Sequence, residues 1–377
     1  MNFELEPRYL EIQGRARELA QQVESVAAEA DECNTVHPAV LEALRASRLS
    51  ELMVPAEYGG RDKRPDPLAI CVVREALMAT SAHLDSLFAL QGIGSYAITV
   101  GGSQSQRETW LPRVASADAL AALGLTEPDT GSDLKAITTS IIESGDGLVL
   151  NGAKSWISNG GAAAFYVVLA KDQHDSFSMV LVPADAPGVS VTPTPQIIAP
   201  HVLGEVAFDN VQLPADAFLG EAGCGMDLVF GTLGVFRVSV AGASVGLAQA
   251  ALEEAVRHTR TREGFGRPLA KLGPVAQMLA DCWTEIEQAR LLTYRAASMA
   301  REDPAGTLHH SSMAKLAASE MAGRVVDRCV QMMGRFGLIR DSKIERLYRQ
   351  ARPMRIYEGA SEILRLGIAR ELTRTVP

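Results

Sequence analysis

Apolar and polar positions alternate with helical spacing through the first third of the chain. Residues 8–30 carry apolar side chains among Glu, Arg and Gln, which predicts an amphipathic helix. Pro38 and Pro67 mark two further helix starts, because proline is favoured in the first helical turn. The run 83–100 is mostly apolar and rich in small residues, as in a buried helix, and residues 104–114 predict one more.

The pattern changes near residue 119 to short β-prone runs separated by turn residues. Residues 138–142 and 148–150 flank a Ser-Gly-Asp-Gly turn, which predicts a β-hairpin. The runs 165–170 and 177–182 also read as strands. Later prolines argue against helix in the rest of this segment: Pro183, Pro187, Pro193, Pro195, Pro200 and Pro214. We therefore predict a small β domain that ends near residue 222.

Helical composition returns after Gly223 and continues to the end, with breaks that predict a bundle of four or five helices. The expected fold class is α+β. It comprises an N-terminal helical domain (1–118), a middle β-sandwich or barrel domain (119–222) and a C-terminal four-helix-type bundle (223–377).

Composition and charge narrow the class of protein. The chain has 377 residues, of which 47% are hydrophobic and 21% charged, and this is globular composition. Its net charge of −9 argues against binding to nucleic acid or an anionic membrane. The acidic N-terminus lacks the apolar core of a signal peptide, and the run 238–252 is shorter than a bilayer requires. Five dispersed cysteines indicate a reduced, cytoplasmic protein: Cys33, Cys71, Cys224, Cys282 and Cys329.

Two motifs look chemical but have a simpler interpretation. Residues 242–246 match the G-x-S-x-G pattern of a hydrolase elbow, yet their flanks continue one small-residue helix, which favours a close helix–helix contact. His309 and His310 are adjacent and so point to different faces of a helix, and we expect no metal site.

A basic run stands out in this acidic chain, and three interpretations are open: solvated helix faces, subunit contacts, or capture of an anionic cofactor. Composition favours the first two, and nucleic-acid binding is the weakest alternative. The run consists of Arg335, Arg340, Lys343, Arg346, Arg349, Arg352 and Arg355.

Three segments carry stronger chemical signals. Residues 123–133 form a loop of turn residues and hydroxyls that suits a polar ring or a phosphate. In the strand-like segment 152–160, Trp156 and Ser158 are two residues apart, and this spacing predicts one shared face. Glu358 comes just before a glycine and a helix start. Taken singly, each could be structural: a capping turn, a core tryptophan or a helix-terminal acid.

Together and in this order, these segments resemble the acyl-CoA dehydrogenase family, and the resemblance spans essentially the whole chain. It includes Arg262-Glu263-Gly264-Phe265-Gly266-Arg267-Pro268-Leu269, Gln331-Met332-Met333-Gly334, Glu345-Arg346, Arg349, Ala351-Arg352 and Ile368-Ala369-Arg370. It implies FAD held between the β domain and the bundle, and a homotetramer whose cofactor sites are shared between subunits.

The resemblance also assigns residues to roles. The loop that bonds the flavin comprises Leu123, Leu125, Thr126, Gly131 and Ser132, while Trp156 and Ser158 cover the isoalloxazine and bond near its N5. Arg262, Phe265, Gln331 and Gly334 would hold the pyrophosphate and adenosine of the neighbouring subunit's cofactor, and Arg335, Ala360 and Glu362 complete the expected cofactor contacts. Ser132, Arg237, Tyr357 and Gly359 are the expected substrate contacts.

The implied reaction is α,β-dehydrogenation of an acyl thioester, with a short or branched acyl-CoA as the expected substrate. Glu358 matches the base that removes the α-proton, and the β-hydride passes to flavin N5. Some members carry the base just before the arginine that matches Arg237, but that position is Phe236 here. An electron-transferring flavoprotein is the expected acceptor. The open alternatives are a carrier-protein thioester, oxidase or elimination chemistry, and a non-enzymatic flavin-binding relative.

Three positions depart from the family pattern. Arg335 replaces a glycine, Gly273 replaces a glutamine and Ala360 replaces a threonine. Each change alters an FAD contact away from the flavin ring and the base. The sequence therefore predicts FAD binding that is intact but looser than usual.

Overall fold

The computed structural model describes residues 4–376, and its internal contacts divide the chain into two compact units. The first, called here the helical unit, comprises Met1–Asp31, Pro67–Asp85 and Arg237–Pro377. The second, called the sheet unit, comprises Glu32–Asp66 and Ser86–Phe236. The chain passes from one unit to the other four times, and two of these passages lie inside helices.

The described chain contains twelve α-helices: α1 (Pro7–Val23), α2 (Ala27–Ala30), α3 (Pro38–Ser47), α4 (Pro67–Met78), α5 (Ala82–Ile93), α6 (Tyr96–Gly101), α7 (Gln104–Ala115), α8 (Gly225–Thr261), α9 (Gly273–Glu302), α10 (Leu308–Met333), α11 (Lys343–Ala351) and α12 (Ser361–Thr375). The helix starts predicted at Pro38 and Pro67 are confirmed, and the C-terminal region, predicted to hold four or five helices, contains five. The single helix predicted over 83–100 is wrong. The backbone tightens there, because the Ser95 N–H bonds the Gly92 carbonyl, and α5 and α6 are separate.

The strands are β1 (Ala121–Gly124), β2 (Ser140–Ser144), β3 (Gly147–Ser158), β4 (Phe165–Lys171), β5 (Phe177–Pro183), β6 (Val189–Pro193), β7 (Leu203–Pro214), β8 (Phe218–Leu219), β9 (Glu263–Gly264) and β10 (Arg267–Pro268). Eight of them form one mixed sheet in the order β6-β7-β3-β2-β4-β5-β8, and β1 pairs in parallel with β4. The predicted hairpin is confirmed as the antiparallel pair β2 and β3. Apolar side chains from β2 to β7, among them Leu150, Tyr166 and Phe208, form the core of this unit.

Within the helical unit, α1 and α9 pack against α4, and α10 packs against α9, α11 and α12. The Gly-x-Ser-x-Gly segment lies inside α8, where a Cβ added at Gly246 would come within 1.9 Å of the Glu75 carbonyl oxygen on α4. The predicted close helix contact is therefore confirmed. By length and composition α8 could cross a membrane, but 78% of its most apolar window is buried within the protein.

Several members of the basic run are engaged by carboxylates of the same unit. Ion pairs join Lys343 to Glu24 at 3.3 Å, Arg346 to Asp31 at 3.6 Å, Arg349 to Glu345 at 2.6 Å and Arg355 to Glu320 at 3.1 Å. This part of the run stabilises helix packing, and the remaining members, Arg335, Arg340 and Arg352, are exposed.

Candidate active site

Glu358 lies in a tight turn between the 3-10 turn Pro353–Arg355 and the start of α12. Its backbone has φ +51°, and Gly359 follows with φ +105°. A positive φ is uncommon for a residue with a side chain and costs about 1–3 kcal/mol, so surrounding contacts must impose it. The turn ends at Ala360, the N-cap of α12, which has no side chain able to accept a capping hydrogen bond.

Two cations impose this conformation by binding successive carbonyl oxygens. Arg237 Nε, on α8, donates to the Glu358 carbonyl at 2.9 Å, and Lys315 Nζ, on α10, donates to the Gly359 carbonyl at 2.8 Å. Arg237 is itself held, because its Nη1 donates to Ser312 Oγ at 3.0 Å. Charge-assisted bonds of this kind are roughly twice as strong as neutral ones.

The Glu358 carboxyl is left without a partner. Its Oε2 is closed off from solvent and has no hydrogen bond to any described residue, and the Glu358 backbone N–H likewise has no acceptor within residues 4–376. Burial raises the pKa of Glu358 to about 7, and Asp85 adds to the rise. Arg74, Arg237 and Lys315 act in the opposite direction. A carboxyl that titrates near neutrality is suited to general base catalysis.

A buried ion pair lies near this carboxyl in the helical unit. Arg74, on α4, binds Asp85 in a bidentate manner, with Nε–Oδ1 and Nη2–Oδ2 distances of 3.0 and 2.6 Å, and its Nη1 donates to Ser239 Oγ at 2.8 Å. Burial also raises the pKa of Tyr357, which therefore stays protonated at neutral pH. The pair supplies a fixed charge environment for Glu358, because the two bonds between Arg74 and Asp85 hold both charged groups in place.

In the sheet unit, the loop after β1 is fixed by a second buried pair. Lys154 Nζ, on β3, lies 2.8 Å from Glu127 Oε1 and 3.1 Å from the Leu125 carbonyl oxygen. Burial alone would raise the pKa of Glu127, but hydrogen bonds from Lys154 and from Thr138 and Thr139 lower it to about 2. This network sets the path of residues 125–127 and leaves the loop beyond them exposed.

Trp156 and Ser158 lie on β3 where its pairing with β7 loses regular register. Trp156 has φ +58° and is 48% exposed, so the simple alternation from which a shared face was predicted is interrupted. Ser158 Oγ lies 2.9 Å from His201 Nε2, and Ser86 Oγ lies 3.3 Å from the same nitrogen. Burial lowers the pKa of His201 to about 4, so the imidazole is neutral at pH 7.

A third group surrounds Phe336 in the helical unit. The guanidinium groups of Arg262 and Arg335 lie 5.6 and 5.1 Å from the centre of its ring. Phe265, at the tip of the β9–β10 hairpin, is 92% exposed and has φ +55°. Gln331 is also exposed. These side chains present two cations and an unburied aromatic ring outward, an arrangement that fits an anionic ligand bearing an aromatic base.

The residues of the sheet unit suit a flat polar ring. The hydroxyls of Thr126 and Ser132 have no hydrogen-bond partner among the described residues, and the Trp156 indole, on the same strand as Ser158, is half exposed. Each set, taken by itself, fits a part of FAD: the hydroxyls and the indole of the sheet unit suit the flavin, and the cations around Phe336 in the helical unit suit a pyrophosphate. Glu362 is exposed on α12, where it pairs with Arg365 at 3.9 Å.

The structure thus brings Arg237, Tyr357, Glu358 and Gly359 together in one unit, and the loop 123–132, Trp156 and Ser158 together in the other. Sequence reasoning missed Lys315, the Arg74–Asp85 pair and His201. Charged residues isolated in apolar helical runs were the available signal for Arg74 and Lys315, because such residues are rarely buried without a function or a partner.

Comparison with known proteins gives three family matches that together cover most of the chain. The models for the N-terminal, middle and C-terminal domains of acyl-CoA dehydrogenases match residues 7–118, 122–211 and 223–373, respectively.

Individual relatives agree with this result. Cyclohexane-1-carbonyl-CoA dehydrogenase of Geobacter metallireducens is 33% identical over 359 residues, covering 94% of each chain. The human mitochondrial short-chain specific acyl-CoA dehydrogenase is 34% identical over 359 residues, covering 93% of this chain and 86% of the relative. The structure of butyryl-CoA dehydrogenase from Megasphaera elsdenii superposes with a TM-score of 0.94 at 28% identity, covering 99% of this chain and 100% of that one.

Proposed function

The chain belongs to the acyl-CoA dehydrogenase family, and from this premise we propose that it converts a short or branched acyl-CoA to the 2-enoyl-CoA. As a member of that family it is an oxidoreductase that uses FAD. The observation that carries the proposal is the Glu358 turn. It places an enclosed, unpartnered carboxylate oxygen and an unpartnered backbone N–H on one residue.

Glu358 removes the α-proton of the thioester. Its pKa of about 7 lets it exist as carboxylate at neutral pH while remaining basic enough to accept a carbon-bound proton. The free N–H of the same residue can donate to the thioester oxygen, on which negative charge develops as the proton leaves. FAD, when bound, supplies the acceptor for the hydride that leaves the β-carbon. Loss of both hydrogens leaves the α,β double bond in the product.

The remaining residues hold cofactor and substrate. We assign the flavin to Leu123, Leu125, Thr126, Gly131, Ser132, Trp156 and Ser158. We assign the adenosine and pyrophosphate of a neighbouring subunit's cofactor to Arg262, Phe265, Gln331, Gly334 and Arg335, and further cofactor contacts to Ala360 and Glu362. The substrate contacts are Ser132, Arg237, Tyr357 and Gly359. Arg237 also has a backbone role, because its bond to the Glu358 carbonyl fixes the base.

Exposed apolar side chains on the C-terminal helices and the β9–β10 hairpin support the proposed assembly. Trp283, Leu338 and Leu366 are 61%, 74% and 64% exposed in the single chain, in addition to Phe265. Large apolar side chains that are exposed in a single chain are typical of surfaces that become buried between subunits. We propose a cytoplasmic homotetramer with three domains per chain (1–118, 119–222 and 223–377) that passes its electrons to an electron-transferring flavoprotein. Light scattering of the purified protein measures the subunit number.

Anaerobic flavin bleaching tests the reaction. Purified enzyme is mixed without oxygen with a panel of acyl-CoAs from short straight chains to α-branched and cyclic acids, and the oxidised flavin band is followed. We expect a short or branched member to bleach the wild type. Glu358→Gln should slow bleaching by about 10²–10⁴-fold, the usual contribution of a positioned general base. Glu371→Gln is the matched control, because it is an identical change on α12, the helix that follows the Glu358 turn, where Glu371 pairs with Arg374.

The outcomes separate the alternatives. If no CoA ester bleaches the wild type but the same acyl groups on a carrier protein do, then CoA is the wrong acyl carrier, whereas the proposed dehydrogenation is supported. If neither bleaches it, the proposed dehydrogenation is wrong. Rapid reoxidation of the bleached enzyme by air would identify an oxidase in place of a dehydrogenase that depends on a flavoprotein acceptor.

A further inference from the structure

Lys315 is an unusual residue for the interior of a helical bundle. Its side chain is fully buried on α10, where lysine is rarely found unless it is paired. Among residues 4–376 it forms no ion pair within 4 Å, and its one hydrogen bond goes to a neutral acceptor, the Gly359 carbonyl, at 2.8 Å. Burying a cation without a carboxylate partner is costly. The position therefore calls for an explanation beyond stability.

The acceptor of this bond lies directly after Glu358. Lys315 and Arg237 hold two successive carbonyl oxygens of a turn whose two residues both have positive φ. The backbone can leave this positive-φ conformation only if a peptide plane flips. A flip would move the Glu358 or Gly359 carbonyl oxygen away from the cation that binds it. The two cations thus fix the peptide planes on both sides of Gly359, and with them the direction of the Glu358 side chain.

Helix α10 also holds the segment on either side of the turn. Glu320, on the same helix, accepts from Ser361 Oγ at 2.6 Å and pairs with Arg355 Nη2 at 3.1 Å. Ser361 follows the turn and Arg355 precedes it. Lys315 is therefore the middle of three anchors through which one helix determines where the base-bearing turn lies.

We propose that Lys315 is a positioning residue for Glu358, which orients the base through the Gly359 carbonyl and keeps it ionised through its positive charge. The inference deepens the proposed function and rests on Glu358 as the base.

The charges around both groups are consistent with this role. Burial lowers the pKa of Lys315 to about 8, so it is mainly protonated at pH 7, and Lys315 in turn lowers the pKa of Glu358. Removing one of the cations near Glu358 should therefore shift its titration upward. The charged groups that act on Glu358 are Arg74 (α4), Asp85 (α5), Arg237 (α8) and Lys315 (α10), and those that act on Lys315 are Arg237, Glu320, Glu358 and Glu362.

Two substitutions separate the charge from the hydrogen bond. Lys315→Gln removes the charge but keeps an N–H donor for the Gly359 carbonyl, whereas Lys315→Met removes both. Lys343→Met is the matched control, because it removes a lysine charge from an ion pair with Glu24 elsewhere in the helical unit.

The pH profile of the bleaching rate is the first readout. We expect both Lys315 variants to shift the acidic limb of this pH profile to higher pH by at least about one unit. At a fixed pH on that limb, this shift corresponds to roughly a tenfold loss of bleaching rate. Only Lys315→Met should also lower the plateau kcat at high pH, with KM little changed, because only that variant frees the turn. Lys343→Met should give the wild-type profile.

A second readout does not depend on substrate. The carboxyl infrared band of protonated Glu358, identified as the band absent from Glu358→Gln, is titrated in the FAD-containing enzyme. A band that titrates at the wild-type pH in Lys315→Gln overturns the inference, and a shift in Lys343→Met equal to that in Lys315→Gln overturns it too. Failure of every acyl thioester to bleach the wild type would instead contradict the proposed function, while this titration still reports on Lys315. If Lys315→Met does not fold, Lys315→Gln alone decides the charge effect.

Discussion

The proposed base, Glu358, should lower the stability of the folded protein at neutral pH, and the Glu358→Gln variant measures this loss. Burial raises the pKa of Glu358 from 4.5 to about 7, a difference of about 2.5 units. At 1.36 kcal/mol per unit, the ionised carboxylate destabilises the folded protein by at most about 3 kcal/mol relative to the neutral carboxyl. A glutamine has the same shape and does not ionise. The variant should therefore be more stable than the wild type wherever the wild-type carboxyl is charged in the folded state.

The sign of the effect depends on pH in a defined way. Because the folded-state pKa lies above the unfolded value, the folded protein binds the extra proton between about pH 4.5 and 7. The stability associated with the neutral carboxyl is fully present below pH 4.5 and is lost as the pH rises through 7. The difference between variant and wild type should grow across this window and stay constant above it.

Thermal unfolding of the FAD-containing proteins at a fixed scan rate gives the measurement. With an unfolding entropy of about 2.1 cal/mol/K per residue over 377 residues, 3 kcal/mol corresponds to a Tm increase of about 4 °C. We expect Glu358→Gln to gain this much between pH 5 and pH 8 relative to the wild type. Glu371→Gln should show no such trend, because the pKa of Glu371 is already lowered by Arg374. A Tm difference that does not change with pH would refute the buried, ionisable base.

Three further outcomes are expected. Lys154→Met leaves the Glu127 carboxylate buried and unpaired, so it should lower the free energy of unfolding by about 3–5 kcal/mol, whereas the double variant with Glu127→Gln should recover part of the loss in denaturant titration. Gly246→Ala should cost about 1–3 kcal/mol or more, because its Cβ would collide with a backbone carbonyl on α4, while Gly14→Ala, whose Cβ meets open space inside α1, should gain about 0.5–1 kcal/mol. His201→Gln should make the protein less sensitive to acid. Between pH 6.5 and pH 4 the wild type should lose up to about 3 kcal/mol of unfolding free energy relative to the variant, because the unfolded chain binds a proton that the buried imidazole does not accept. Equal acid sensitivity of the two proteins in thermal scans would contradict the burial of His201.

Local signals in the sequence predicted much of the fold. Pro38 and Pro67 predicted two helix starts, and the Ser-Gly-Asp-Gly turn predicted the β2–β3 hairpin. Both kinds of signal depend only on residues that are neighbours in sequence. The break between α5 and α6 was missed since the apolar run continues through it. Strand β1 was missed because its four residues are defined by parallel pairing with β4, a contact 44 residues away in sequence.

The candidate site shows the same limit more sharply. The motif around Glu358 is contiguous and can be recognised, and so can the residues that flank it. The pKa of Glu358 is set by its burial and by charges on four different helices, from Arg74 to Lys315, which approach one another only through helix packing. A substitution at any of these positions would leave the motif intact and change the chemistry. A matching Tyr-Glu-Gly segment therefore points to the proposed base, whereas the pH range in which that carboxyl ionises depends on its burial and on the charges around it. Two relatives with the same motif and different residues at position 315 should differ in the acidic limb of their rate profiles, in the direction set by the charge that one of them lacks.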